Sequence, residues 1–175
     1  MNVIASGAEA LAAGRYHSMV LKEDGSVWVT GRNNDGQLGD GTRISSSQFV
    51  KVMESDAKAM AAGDYHSLVL KTDGSVLAAG SNTFGQLGTM LVVENSARFR
   101  TVVKSGVKAV TAGAHHSLLI KQDDSAWASG QNFFGQLRDG STTTTKLFHK
   151  VVDCGVQAVT AGDRHTMVLL HDGSV

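Results

Sequence analysis

Gly63-Asp64-Tyr65-His66-Ser67-Leu68-Val69-Leu70-Lys71-Thr72-Asp73-Gly74-Ser75 decides how this chain folds. From Tyr65 to Lys71 the residues alternate. His66, Leu68 and Leu70 fall on one face, Ser67, Val69 and Lys71 on the other, which is the period of a half-buried strand. Asp73-Gly74 then offers the positive φ angles of a two-residue hairpin turn. Working outward, Lys58 to Ala62 predicts a strand of small residues running into Gly63, and Ser75 to Ala79 a return strand closed by Gly80. After a loop carrying Gly85-Gln86-Leu87, Arg98 to Lys104 predicts a fourth strand. No stretch shows a 3.6-residue apolar period with caps, so helices are not expected.

The same order of signals recurs along the chain. The histidine of the quoted stretch has counterparts at His17, His116 and His165, at intervals of 49, 50 and 49 residues. Gly36-Gln37-Leu38, Gly85-Gln86-Leu87 and Gly135-Gln136-Leu137 keep that beat, as do Asp24-Gly25-Ser26, Asp73-Gly74-Ser75, Asp123-Asp124-Ser125 and Asp172-Gly173-Ser174. Three markers in one register define units 8–56, 57–106, 107–155 and a truncated 156–175. Four antiparallel strands per unit predict an all-β fold of propeller blades, an open array of about three and a half. A single blade cannot bury its own faces, so neighbours must stack. A β-solenoid is the alternative, but it carries shorter coils and no regular Asp-Gly hairpin.

Composition is consistent with this reading and narrows function. Of 175 residues, 20 are glycine and none proline, as many tight turns require. Sixteen basic residues balance sixteen acidic ones, which removes the electrostatic argument for wrapping nucleic acid or an anionic membrane. Cys154 is the single cysteine, which excludes an intrachain disulfide or a cysteine metal cluster. No apolar run is long enough to span a bilayer, and Met1 to Leu11 lacks the layout of a secretory signal, so the expectation is either an intracellular setting, which is favoured, or a targeting segment that is not part of this sequence.

The repeated elements resemble those of the regulator of chromosome condensation family. They share glycine, two residues, His-Ser, an apolar stretch, Asp-Gly, a Trp-x-x-Gly-x-Asn element and Gly-Gln-Leu-Gly. The last two occur as Trp28 to Asn33 with Gly36 to Gly39, and as Trp127 to Asn132 with Gly135 to Leu137. The middle unit has Leu77 for the tryptophan and keeps Gly80 and Asn82. Arg138 replaces the final glycine of the third Gly-Gln-Leu-Gly, and Asp124 replaces the hairpin glycine, so the third unit departs furthest. The resemblance implies seven-bladed propellers, of which three units and part of a fourth are present.

Four histidines in register invite a metal hypothesis, since neutral imidazole is a common ligand. They occupy the same strand of successive blades, however, and no carboxylate pair or nucleophile–base arrangement accompanies them. A structural role is expected for His17, His66, His116 and His165, with the ring buried and hydrogen-bonded to backbone between strands. Gly36, Gly85 and Gly135 are expected to serve turn geometry, because no Walker-type lysine or helix follows them. Trp28 and Trp127 are expected at core positions of the repeat. No catalytic residue, cofactor or metal site is therefore expected.

The function expected is a non-catalytic protein–protein interaction scaffold, either a propeller fragment or a subunit of a larger assembly, whose partner is another protein chain. An unclosed array leaves end faces and strand edges that need covering. The resemblance implies two alternatives. One is nucleotide exchange on a Ran-like small GTPase, as in the founding member. The other is association with chromatin or DNA, which the neutral charge disfavours.

Overall fold

A computed structural model describes residue 4, residues 6–90 and residues 94–175; three positions of the Met1 to Leu11 segment and residue 5 within it lie outside the described residues. Every regular element among them is a strand. β1 (Ala8–Ala13), β2 (His17–Lys22), β3 (Val27–Gly31) and β4 (Ser46–Met53) form one antiparallel sheet in that order. β5 (Ala57–Ala62), β6 (His66–Lys71), β7 (Val76–Ser81) and β8 (Asn95–Val103) form a second. A third contains β9 (Val107–Ala112), β10 (His116–Lys121), β11 (Ala126–Gly130) and β12 (Thr145–Val152), and β13 (Val156–Ala161) pairs with β14 (Thr166–Leu170) as a hairpin. These are propeller blades, with the first strands β1, β5, β9 and β13 following one another as neighbours.

The core lies between the sheets rather than within them. Met19, Leu21, Val27 and Val29 of the first sheet, with Leu38 from the β3–β4 loop, pack with Ala57 and Val69 of the second. Leu70 and Val76 pack with Val107 and Leu119, and Ile120 and Ala126 with Val156 and Val168. The second strands of the second and third blades are consequently covered on both sides. His66 to Leu70 are all buried, where alternation predicted one wet face, and His116 to Ile120 repeat this. The physical reason is stacking: a neighbouring blade covers each face, so even Ser67 is fully enclosed.

The Asp-Gly turns differ from expectation in loop length. Gly74 N donates to Lys71 O at 3.0 Å and Lys71 N to Ser75 O at 2.9 Å, enclosing three residues rather than two. Thr72 and Asp73 form the bend, and only Gly74 takes a positive φ, +78°. This is the three-residue hairpin whose last loop position is left-handed. The Asp73 carboxylate accepts the Ser75 N–H at 2.8 Å, which fixes the bend, and that serine's hydroxyl and backbone together hold the aspartate's pKa below the usual carboxylate range. Asp124 occupies the left-handed position itself at φ +61°, so the third turn keeps its shape without glycine.

Turn and sheet are also tied across blades. Gly25 O, Gly74 O and Asp124 O accept the N–H of Ala57, Val107 and Val156, at 3.1, 3.1 and 2.9 Å. Each hairpin tip thus sets the start of the next blade's first strand.

Candidate interaction surface

The recurring histidines join one blade to the next. His17 Nε2 lies 2.7 Å from Ser67 Oγ, and that hydroxyl donates to Gln37 O, also at 2.7 Å. A serine has a single hydroxyl hydrogen, so His17 must be the donor, with its proton on Nε2. The first blade therefore grips one hydroxyl of the second from two directions. His66 Nε2, Ser117 Oγ and Gln86 O repeat the arrangement at 2.9 and 2.6 Å, and His116 Nε2 meets Thr166 Oγ1 at 3.0 Å. The partner is a side-chain hydroxyl of the neighbouring blade, not the backbone group expected from sequence. The hydroxyl in turn satisfies the backbone carbonyl, so it stands between the two.

His17 Nδ1, His66 Nδ1 and His116 Nδ1 are buried and lack hydrogen-bond partners among the described residues. A second proton would sit there without an acceptor. Burial accordingly holds the imidazoles neutral, lowering them to about 4, about 3 and about 4 respectively. His165, in contrast, is exposed. Among the described residues no three His, Cys, Asp or Glu side chains converge on a point that could hold a metal.

The other repeat positions have equally specific neighbours. Gly36 has φ +83°, and a Cβ there would lie 2.5 Å from Ala97 Cα of the next blade's outer strand. Gly85 meets Lys146 Cα in the same way, whereas Gly135 faces open space apart from Ser141 O at 3.9 Å. Trp28 and Trp127 are half-buried, donating Nε1–H to Ser26 Oγ at 3.1 Å and Ser125 Oγ at 2.8 Å. Lys121 Nζ sits 3.6 Å from the centre of the Trp127 ring. Trp127 and Lys121 line a cavity of about 260 Å³ whose other walls are mostly apolar, among them Val102, Leu119 and Phe148.

The ends of the strands that carry the β1–β2 and β3–β4 loops, and their equivalents, present a different surface. Tyr16 and Tyr65 stand one blade apart with ring centres 5.3 Å apart, and Tyr65 stacks on His115 at 5.8 Å. Phe84 continues the contact to His115 at 5.3 Å and meets Phe133 edge-on at 5.8 Å. Arg32 lies over both tyrosines and Arg164 over Phe134. The result is an aromatic arc across three blades, with Phe133 57% and Phe134 60% exposed. Beside it a cleft of about 330 Å³ is lined by Gly14, Gly63, Gly113 and Gly162 together with Arg15 and Asp64. Sequence reasoning missed this arc. Its signal was the ring preceding the repeated histidine in three units.

Comparison with known proteins agrees with the repeat and the blade architecture. Residues 9–37, 57–86 and 107–136 match one model of the Regulator of chromosome condensation (RCC1) repeat, and residues 24–70 and 73–120 match another. The chain belongs to the RCC1 repeat family. Its fold is similar to that of Prp20p from Saccharomyces cerevisiae, with a TM-score of 0.83 at 20% identity over 93% of this chain and 43% of that one. Yeast RCC1 (Prp20) bound to Kap60 gives 0.82 at 22% identity, over 97% and 43% of the two chains. Human WBSCR16 gives 0.63 at 17% identity, over 97% and 59%. The RCC1 repeats here thus span less than half the length of the yeast relatives. The Prp20p structure was described with that protein's binding to Gsp1p and histones.

Proposed function

We propose that this chain is a non-catalytic scaffold for protein–protein interaction, acting through the aromatic arc. The observation that carries the reading is the continuity of that arc. Monomeric surfaces seldom expose joined aromatic rings, whereas interfaces are enriched in them together with arginine. The polar groups that might have served chemistry are instead committed: the histidines and serines clamp blades, and the Asp-Gly aspartates cap turns. Native purification followed by light scattering and cross-linking tests the proposal. The expected result is a stoichiometric protein partner cross-linked at the arc. A soluble chain that stays monomeric and brings down no partner refutes it.

A second reading, nucleotide exchange on a Ran-like GTPase, is supported by the fold shared with a relative described as binding Gsp1p. Nucleotide release from a panel of small GTPases decides it, and unaccelerated release at micromolar protein ends it. Association with chromatin or DNA draws on the histone binding described for the same relative. It predicts salt-dependent duplex binding, against a formal net charge of zero.

A further inference from the structure

We propose that the aromatic arc receives a protein segment carrying a carboxylate beside an apolar or aromatic side chain, with Arg32 as the partner of that carboxylate. The inference rests on the scaffold reading and gives it a chemistry. Three arginines stand on the arc, and two are already neutralised. Arg15 Nη1 lies 3.3 Å from Asp64 Oδ2, and Arg164 Nε lies 3.5 Å from Asp163 Oδ2.

Arg32 differs from both. Its guanidinium carbon sits 5.3 Å from the centre of the Tyr16 ring and 5.2 Å from that of Tyr65. Its Nε is buried without a hydrogen-bond partner, and among the described residues no carboxylate pairs with the head group. Its main chain is fixed as well, with Arg32 N donating to Tyr16 O at 2.9 Å. A planar cation immobilised on two rings and left unneutralised is prepared for a planar anion, because its remaining N–H groups can donate in parallel to both carboxylate oxygens.

The same rings lead away from Arg32 through His115 and Phe84 to exposed Phe133, and the next residue, Phe134, is exposed under Arg164. An occupant therefore needs one negative group at the Arg32 end and apolar surface at the phenylalanine end. It does not need a chain of negative charges. Arg15 and Arg164 are paired with Asp64 and Asp163, and Asp35 stands on the loop that carries Arg32 without pairing with it, so these loops carry no run of surplus positive charge to hold a polyphosphate backbone. An acidic-aromatic peptide segment fits where a nucleic-acid strand does not.

Selection of a random-peptide phage library on the immobilised full chain tests this. The expected result is enrichment of sequences with Asp or Glu next to an aromatic or leucine residue. A fluorescein-labelled synthetic version should bind with roughly tenfold or greater loss on Arg32→Gln and a smaller loss on Arg32→Lys. Changing the peptide's acid to its amide on the unaltered chain should produce the same loss, so the test does not depend on how Arg32→Gln folds. Enriched peptides without acids, binding insensitive to both changes, or no enrichment at all overturn the proposal. So does tighter binding of a single-stranded oligothymidylate that Arg32→Gln abolishes. Peptides that bind elsewhere sink this proposal while leaving the scaffold reading intact; that reading fails separately, through a monomer without a partner.

Discussion

Replacing Ser67 by alanine removes one oxygen and, with it, two hydrogen bonds across the junction of the first and second blades. Ser67 Oγ accepts from His17 Nε2 and donates to Gln37 O, both at 2.7 Å, in a site closed to water. Each bond contributes about 1 kcal/mol net, and a buried donor left unsatisfied costs about 1–3 kcal/mol more. The His17 ring would then have no partner on either nitrogen, since Nδ1 already lacks one. The expected loss is about 2–4 kcal/mol, concentrated at one blade junction.

Trp28 lies in the first blade and Trp127 in the third, so fluorescence of single-tryptophan forms separates the two regions. In urea at neutral pH, the Trp28 transition of Ser67→Ala should move about 1 M or more below that of the unaltered chain. The Trp127 transition should move less. His17→Leu combined with Ser67→Ala should cost less than the sum of the two, by about 1–2 kcal/mol, because the second change no longer orphans a donor. A loss below about 0.5 kcal/mol, or strict additivity, would show that the hydroxyl does not join the blades.

The remaining predictions concern acid, glycine and strain. His17, His66 and His116 are lowered from 6.5 to about 4, about 3 and about 4, so the unfolded chain binds up to three more protons as pH falls below 6.5. Stability should be nearly flat with respect to these groups above about pH 7.5 and fall steeply between about pH 6 and 4, approaching roughly 4 kcal/mol per pH unit; urea midpoints unchanged between pH 7 and 5 would contradict this. Gly113→Ala should cost about 1–3 kcal/mol, since its Cβ would stand 2.5 Å from Gly162 O and press on the His116 ring. Gly155→Ala meets nothing within 4 Å and carries only the penalty of its φ of +79°, about 1 kcal/mol. Thermal melts should rank the two in that order, and the reverse order would refute the close-approach argument. Arg138→Gly should raise stability by about 0.5–1 kcal/mol, because a non-glycine residue is held there at φ +60°. A lowered melting temperature would mean that the arginine side chain contributes more than its backbone costs.

The expected strands lie close to those observed, for example Lys58 to Ala62 against β5 (Ala57–Ala62) and Tyr65 to Lys71 against β6 (His66–Lys71). Period-two alternation and Asp-Gly chemistry are local signals, and four successive copies reinforce each other. The loop length of the turn escaped because Asp-Gly serves both two- and three-residue hairpins, and only the Lys71–Ser75 pairing distinguishes them. Ser67 looked like a solvent-facing residue because alternation describes one sheet, and a second blade covers the other face. A hydroxyl after every repeated histidine, at Ser18, Ser67, Ser117 and Thr166, was the available sign of its role.

By itself the sequence determined the all-β class, the spacing of the repeat and the family resemblance, because these depend on residue order within one unit. Tertiary structure decided what each unit touches. Tyr16 and Tyr65, 49 positions apart, become neighbours only when blades stack with a particular offset and twist, as do His17 and Ser67. Strand spacing places a side chain on a face of its own sheet. It does not set the rotation between sheets, and on that rotation both the histidine–serine clamps and the aromatic arc depend.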